Sequence, residues 1–453
     1  MAAGDEPAAR VASRGKSPFS LEAGIEGDTR LGVHGQGPDG VVLQQEQING
    51  ILVTRLGPGI PELDQLYTRM MALTNVPGAA FVLCYKGRLV YAAGFGYSNL
   101  EDKIPFTPYT LCEIGSVSKP LAAMTILASL EHYKIPLTAR VYDLLGWKSG
   151  DTTIDAEASQ ATVLDCLNHK IMPATPPNMD ATARMFNIPK DLVTEEHILQ
   201  EQLRHGFKFV PGSKVEYSGF GLLLLARVVE KYEHKRFLDY EINALTRLNV
   251  GDFLSFSYSD DRRSVLVPPS YQYDPSRGEF REEGNYLGFS YFGENCALGT
   301  GVMSPLSLAR FGDRFVDLYR DPARMSDLII NNRSDKNGGY ALGWMVGKNN
   351  GRFYLHHGGS IGGWKTGLMT GFINDNETNP NNSFTVLTVF NAECPPALVA
   401  GQALVRQVPD SMFDEFKVPR ELIPNSLQSI LPRLIQRGKL NNFNLWRSAG
   451  FPD

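Results

Sequence analysis

The sequence predicts an α/β fold of the α+β kind, an antiparallel β-sheet flanked by terminal helices, with a mostly helical domain inserted between its strands. Two observations predict it. Strand-like runs rich in β-branched and aromatic residues occur near both ends of the core, at residues 79–97 and 339–391. Residues 120–290 between them carry helical patterns and Pro-rich polar loops instead. We therefore expect strands from both ends to share one sheet, with a cleft between the sheet and the insert.

The first elements of the core follow a polar segment. Residues 1–55 are rich in Gly, Ala and charged residues without a sustained period, which indicates a polar N-terminal tail. From Pro61 to Thr74, apolar residues recur at steps of three and four, the pattern of a helix with one buried face. Two apolar runs then flank Lys86 and Gly87, which indicates a β-hairpin whose turn uses the positive φ that glycine tolerates.

The remaining chain divides into the helical insert and the returning strands. We expect helices near residues 193–205 and 219–233, then strands at "GYALGWMVG", "RFYLHHG", "KTGLMTGFI" and "SFTVLTVFN", and a helix through "PPALVAGQALVRQ". The predicted domains are the tail at 1–55, an α/β sandwich domain made of 56–120 and 290–408, the inserted helical domain at 121–289, and a C-terminal extension at 409–453.

Composition argues against several classes of protein. A formal net charge of -5 and a pI near 6.0 give no basic surface for nucleic acid. The stretch "MAAGDEPAARVASRGKSPFS" has no apolar run behind a basic start, so we expect no signal peptide and a cytoplasmic location. The apolar stretch around "GFGLLLLARVV" is interrupted by Arg227 and is shorter than the ~20 residues of a membrane span. Five scattered cysteines without a C-x-x-C pair indicate free thiols, and the oligomeric state stays open.

A candidate nucleophile lies in "EIGSVSKPLAAMTILASLEHY", where Ser116 precedes Lys119 by three residues. Residues three apart share a helix face, so the lysine amine can reach the serine hydroxyl. Pro120 belongs near a helix start, where free N–H groups stabilise an oxyanion and burial favours a neutral lysine. The alternative is two polar residues at the start of a buried helix. It stays open on this motif alone, because S-x-x-K also occurs by chance, at Ser13 and Lys16.

Two later segments carry further chemistry. Tyr217 lies in "PGSKVEYSGFG", a loop that enters a helix, and His357 lies in "YLHHGGSIGGW", at the end of a strand. With "SVSK", these motifs resemble those of the penicillin-recognising serine hydrolases, the class C β-lactamase-like group that includes family VIII carboxylesterases. The resemblance extends over residues 56–408. It implies a serine β-lactamase-like fold.

The resemblance also implies acyl transfer to a serine. Ser116 would attack a carbonyl of a small acyl substrate and form an acyl-enzyme, and Lys119 and Tyr217 would share the proton transfers. The backbone N–H groups of Ser116 and Ser360 would form the oxyanion hole. The other substrate-binding residues that it implies are His357, Gly359, Gly219 and Trp364. It requires no cofactor and no metal, and Trp364 could equally pack in the core.

Three features leave the assignment open in detail. "GGSIG" would make Ser360 the nucleophile of an α/β-hydrolase, but no histidine follows His357 to complete that chain order. "KTGL" at Lys365 is a second spelling of the third motif, which we place at His357. The second motif commonly ends in asparagine, whereas Gly219 stands here, so we expect activity on small esters or amides. The alternatives are an acyltransferase, a β-lactamase or D-aminopeptidase, and a non-catalytic scaffold.

Overall fold

The computed structural model describes most of the chain between residues 37 and 451. The described residues are 37–147, 155–255, 266–274, 276–283, 297–318, 329, 331–335, 339–349, 352–372, 383–393, 427–441 and 443–451. Most of the predicted tail and the predicted helix through "PPALVAGQALVRQ" lie outside them.

The described elements are numbered in chain order. The helices are α1 (Pro61–Thr74), α2 (Ser118–His132), α3 (Val141–Leu145), α4 (Val163–Leu167), α5 (Met179–Phe186), α6 (Glu195–Arg204), α7 (Phe220–Glu233), α8 (Phe237–Arg247), α9 (Pro305–Leu318) and α10 (Leu427–Gln436). The strands are β1 (Leu43–Ile48), β2 (Ile51–Leu56), β3 (Gly78–Tyr85), β4 (Arg88–Asn99), β5 (Ile104–Pro105), β6 (Cys112–Glu113), β7 (Leu254–Ser255), β8 (Tyr271–Asp274), β9 (Glu279–Glu282), β10 (Gly301–Met303), β11 (Gly339–Ala341), β12 (Trp344–Asn349), β13 (Arg352–Ile361), β14 (Trp364–Phe372), β15 (Ser383–Phe390) and β16 (Ala392–Glu393).

One large antiparallel sheet organises the described residues. Its strand order is β1-β2-β4-β3-β15-β14-β13-β12-β11, with β5 paired to β4. Strands from the two ends of the chain meet where β3 pairs with β15, in the register that sets Leu83 opposite Val386. Between them, the described residues from 141 to 247 form the helices α3 to α8. The predicted fold class is confirmed: an antiparallel sheet joins both ends of the chain around a mostly helical insert.

The two faces of this sheet are covered by different helices. Side chains alternate between faces along a strand, so β3 sends Ala80 and Val82 to one face and Phe81 and Leu83 to the other. The first face packs on α9 and shares one hydrophobic cluster with α2 and α7, and the second face shares a cluster with α1 and α10. The contact between the start of α2 and the strands β13 and β14 therefore lies where the sheet meets the helical insert.

Several local predictions are confirmed. The helix predicted from Pro61 to Thr74 has those bounds. The hairpin turn between β3 and β4 places Lys86 at φ 55 and Gly87 at φ 71, the two positive values that such a turn needs. The helices predicted near 193–205 and 219–233 are α6 and α7. No helix within the described ranges is long and apolar enough to cross a bilayer.

The structure differs from the expected tail and extension at two places. Residues 43–55 of the predicted tail lie in β1 and β2 at the edge of the sheet, and β1 is a polar strand with most of its side chains exposed. In the C-terminal segment, α10 buries Ile430 and Leu434 against the sheet. Further on, the buried Trp446 ring lies 4.5 Å from the Arg310 guanidinium. Both segments therefore add apolar contacts to the core.

Candidate active site

A short turn places Ser116 at the start of the buried helix. A 3-10 turn, Gly115–Val117, precedes α2, so Ser116 lies just before the α-helix and Lys119 is its second residue. Gly115 has a φ of 52, and a Cβ there would lie 2.6 Å from the backbone nitrogen of Ser360. Only glycine fits this turn, because any side chain would both strain the backbone and collide with β13.

Ser116 and Lys119 are brought into contact. The Lys119 Nζ lies 3.2 Å from Ser116 Oγ and donates to the carbonyl oxygen of Leu298 at 2.5 Å. Only 3% of Lys119 is exposed. Burial disfavours the charged amine and lowers the pKa of Lys119 to about 7. The lysine can therefore hold or accept a proton beside the serine hydroxyl near neutral pH.

Tyr217 lies across the site from Lys119. It stands in the loop before α7, where the nearby Ser116 hydroxyl acts to lower the pKa of its phenol, and the Lys119 Nζ lies 5.0 Å from the centre of its ring. Although 43% of the residue is exposed, burial of its phenol end raises the pKa of Tyr217 to about 12. The phenol thus keeps its proton at neutral pH. A protonated phenol beside Ser116 can donate its proton.

Glycines let the end of β13 approach the turn that carries Ser116. A Cβ on Gly359 would lie 1.9 Å from the carbonyl oxygen of Ile114, and a Cβ on Gly115 would meet the backbone of Ser360. The backbone of Ser360 therefore runs beside that of Ser116. Two backbone N–H groups at such a place are the ordinary components of an oxyanion hole.

His357 is a buried neutral histidine next to this backbone. It is 3% exposed, and its ring lies 6.2 Å from that of Tyr217. Its Nδ1 lies 2.8 Å from the carbonyl oxygen of Gly358, which can only accept, so Nδ1 carries the ring proton. Nε2 has no hydrogen-bond partner among the described residues. Burial holds the pKa of His357 well below its usual range, because the charged ring would be desolvated and would face Lys119.

The hairpin after His357 contains the two other segments that the sequence left open. The buried Lys365 Nζ donates to Ser360 Oγ across the β13–β14 pair. Trp364 is 2% exposed and packs edge-on against Phe106 at 6.2 Å between ring centres, a place in the core. Ser360 thus lies beside a lysine of its own, while its backbone faces Ser116.

Leucine side-chain atoms occupy the space next to Gly219. A Cβ on Gly219 would lie 2.0 Å from Cδ2 of Leu298 and 4.0 Å from Cε of Lys119. Gly219 has a φ of -76, so its backbone would accept asparagine. The obstacle is the leucine. Leu298 therefore presents an apolar surface at the place where the second motif commonly presents an amide.

Sequence reasoning did not single out two aromatic neighbours of Tyr217. The His169 and Tyr340 rings lie 4.7 and 5.8 Å from that of Tyr217, centre to centre. His169 ends the segment "ATVLDCLNH", in which no local pattern marks it as a site residue. No group of three metal-ligating side chains is found in the part of the chain that the structure describes.

Comparison with curated proteins gives distant relatives. The chain is 24% identical over 242 residues to the mitochondrial serine beta-lactamase-like protein LACTB of Mus musculus, a match that covers 39% of this chain and 43% of that protein. It is 21% identical over 188 residues to Protein flp of Staphylococcus aureus strain N315, covering 40% of this chain and 35% of that protein. The matches therefore span less than half the length of these relatives.

Solved structures share the fold. The octameric penicillin-binding protein homologue from Pyrococcus abyssi has a TM-score of 0.58 and 22% identity, with 77% of each chain covered. The D-amino acid amidase from Ochrobactrum anthropi SV3 has a TM-score of 0.56 and 18% identity, covering 82% of this chain and 99% of that one. EstCE1, a hydrolase with promiscuous acyltransferase activity, has a TM-score of 0.54 and 15% identity, covering 73% and 93%.

The family itself follows from a match along the chain. The family model described as Beta-lactamase matches residues 63–404, well over half of the sequence and both sides of the helical insert. The matched range contains the three segments that meet at Ser116. This agrees with the resemblance stated from the motifs. The protein belongs to the Beta-lactamase family.

Proposed function

We propose that the protein is a serine hydrolase that acts on small esters or amides through an acyl-enzyme on Ser116. The observation that carries this proposal is the contact between Lys119 Nζ and Ser116 Oγ at 3.2 Å, made by a lysine whose pKa burial lowers to about 7. A serine hydroxyl is a weak nucleophile until an adjacent base accepts its proton. Lys119 is such a base.

Acylation begins with that proton transfer. Neutral Lys119 accepts the Oγ proton of Ser116 as Oγ forms a bond to the substrate carbonyl carbon. The carbonyl oxygen takes up negative charge, which the backbone N–H groups of Ser116 and Ser360 stabilise. Preorganised donors of this kind act on the transition state without reorganising water.

Collapse of the tetrahedral intermediate breaks the bond to the leaving group. The Tyr217 hydroxyl, protonated because its pKa is about 12, donates its proton to the departing oxygen or nitrogen. The protonated Lys119 then returns a proton to the phenolate. In deacylation, water attacks the acyl-enzyme, gives up a proton to the same groups, and Ser116 Oγ leaves with its hydroxyl restored.

The substrate class follows from Leu298 and Gly219. An amide side chain at this place would bond the acylamide of a β-lactam or a D-alanyl peptide, whereas Leu298 offers only apolar atoms. A buried polar group without a partner costs about 1 to 3 kcal/mol. Esters without an acylamide avoid that cost, so we propose small esters as better substrates than lactams. The structural likeness to EstCE1 and to the D-amino acid amidase supports an ester or amide substrate.

Transfer of the acyl group to an acceptor other than water is the second candidate function. The same acyl-enzyme serves both reactions, and EstCE1 combines hydrolase and acyltransferase activity. Product analysis with an added alcohol separates the two outcomes. A scaffold without catalysis is the alternative of a different class, and it would leave Ser116 unreactive.

Labelling with a fluorophosphonate probe tests the proposal. We expect one modified peptide that contains Ser116, no label in Ser116→Ala, and retained label in the matched variant Ser360→Ala. The control is informative because Ser360 also lies beside a lysine. Label on Ser360 would refute the assignment of the nucleophile. A wild-type protein without label would instead favour the scaffold.

A further inference from the structure

We propose that His169 is a positioning residue that holds Tyr217 at Ser116. This role presupposes the proposed acyl transfer and adds a residue to it. His169 touches the residues on both sides of Tyr217 in the chain. The backbone N–H of Glu216 donates to the His169 carbonyl oxygen at 2.9 Å, and the His169 ring contacts the carbonyl oxygen of Ser218 at 2.7 Å.

The direction of the second bond assigns the ring proton. A carbonyl oxygen only accepts, so at 2.7 Å the Nδ1 of His169 must donate to the Ser218 oxygen, and the Ser218 backbone N–H, 3.3 Å from the same nitrogen, does not donate to it in this tautomer. His169 is 1% exposed, and burial lowers its pKa to about 4, so the ring is neutral and keeps this single proton on Nδ1 at physiological pH. Its Nε2 finds no hydrogen-bond partner among the residues that the structure describes. The bond to Ser218 is therefore the polar contact that orients the ring.

The ring packs between two tyrosines. Its centre lies 4.7 Å from the centre of the Tyr217 ring and 4.4 Å from that of Tyr340, in edge contact with the latter. The two hydrogen bonds restrain the main chain on either side of Tyr217. The ring contact restrains the face of its phenol ring. A phenol held in this way keeps its hydroxyl on Ser116.

The segment that carries His169 is itself anchored. Asn168 accepts from the backbone N–H of Leu342 at 2.8 Å and donates to the carbonyl oxygen of Asn332 at 2.6 Å. The His169 backbone adopts a φ of 55, a left-handed conformation that is uncommon outside glycine, asparagine, aspartate and histidine. A fixed anchor and an uncommon conformation together aim the ring at the Tyr217 loop.

Two substitutions distinguish the roles of the two ring nitrogens of His169. In His169→Asn the amide nitrogen takes the place of Nδ1 and the left-handed backbone is tolerated, whereas His169→Gln places its amide near Nε2. We expect Asn to retain kcat for ester hydrolysis within a few-fold, and Gln and Ala to lose about 10- to 100-fold in kcat with little change in KM. The control is His234→Gln, since His234 has a similar φ of 53 but is exposed and lies at the end of α7. We expect it to behave as wild type.

A double mutant separates positioning from folding. If His169 acts through Tyr217, His169→Ala should cost little more in a Tyr217→Phe background, because the hydroxyl that it positions is already absent. An equal fold-loss in both backgrounds, or rescue by Gln rather than by Asn, would overturn the role of His169. If either result is obtained while the wild-type protein is active, the proposed function still stands and only the role of His169 is lost. A wild-type Ser116 that takes no fluorophosphonate label would overturn both.

Discussion

Lowering the pH through about 7 is expected to switch off ester hydrolysis by protonating Lys119. The ordinary lysine pKa of 10.5 falls to about 7 at this site because the side chain is buried. At pH 7 an ordinary lysine is neutral in about one molecule in 3,000, whereas Lys119 is neutral in about half of them. We therefore expect kcat/KM to rise about tenfold per pH unit below 7 and to level off above it.

Burial of Lys119 also makes the stability of the folded protein depend on pH. The unfolded lysine binds a proton up to about pH 10.5, while the folded one releases it above about pH 7. Between these values the unfolded state holds more protons, so stability rises with pH. Below pH 7 the full cost of the buried charge is present, on the order of 5 kcal/mol. Lys119→Met should therefore raise the melting temperature more at low pH than at pH 10.

The assay is kcat/KM for a short p-nitrophenyl ester, measured from about pH 5 to pH 10. Tyr217→Phe should lower the plateau and leave the midpoint of the rise in place, because burial of Lys119 sets that midpoint. Asp252 is the control, since burial raises its pKa to about 6 and its carboxylate accepts a hydrogen bond from Ser304 Oγ. Asp252→Asn should keep the rise. A flat profile, or a rise that begins only near pH 10, would refute a neutral Lys119 as the base.

Three further substitutions test the geometry around Ser116. Tyr217→Phe is expected to lower kcat for ester hydrolysis at least ~100-fold with little change in melting temperature, because it removes a proton donor and little packing. Gly219→Asn is expected to lower the melting temperature and ester kcat/KM, because its Cβ would lie 2.0 Å from Leu298 Cδ2, and Leu298→Ala in the same chain should recover part of both. Gly359→Ala is expected to abolish fluorophosphonate labelling, because its Cβ would lie 1.9 Å from Ile114 O.

Each of these expectations has a contrary result. Wild-type turnover in Tyr217→Phe would show that Lys119 works alone or through water. An unchanged melting temperature in Gly219→Asn would show that Leu298 moves aside without cost. Full labelling in Gly359→Ala would show that close approach of β13 is not needed for the reactivity of Ser116.

Local patterns predicted the parts of the fold where one pattern dominates. The apolar period from Pro61 to Thr74 and the turn at Lys86 and Gly87 each specify one conformation, and both are found. The polar strand β1 escaped prediction because an edge strand with exposed side chains has the composition of a tail. Helix α10 escaped because Pro432 stands inside it, and proline ordinarily ends a helix.

In the candidate site, too, local patterns predicted some residues and not others. The spacing of Ser116 and Lys119 is local, so the sequence could place the amine near the hydroxyl, and the structure gives 3.2 Å. Tyr217 and His357 came from the resemblance alone, because no local rule brings residues so far apart in the chain together. His169 was not predicted, since nothing in its neighbours indicates a positive φ or a bond to Ser218.

Leu298 affects both the proposed base, Lys119, and the proposed preference for substrates without an acylamide. A neutral amine has two N–H groups and one lone pair, whereas the charged form has three N–H groups and none. With one N–H given to the Leu298 carbonyl oxygen at 2.5 Å, the neutral amine keeps one N–H and its lone pair for other partners, and Ser116 Oγ lies 3.2 Å away. The side chain of the same leucine fills the space beside Gly219. An amide at this place would solvate the charged amine and raise its pKa, so the apolar leucine favours both the neutral base and a substrate without an acylamide.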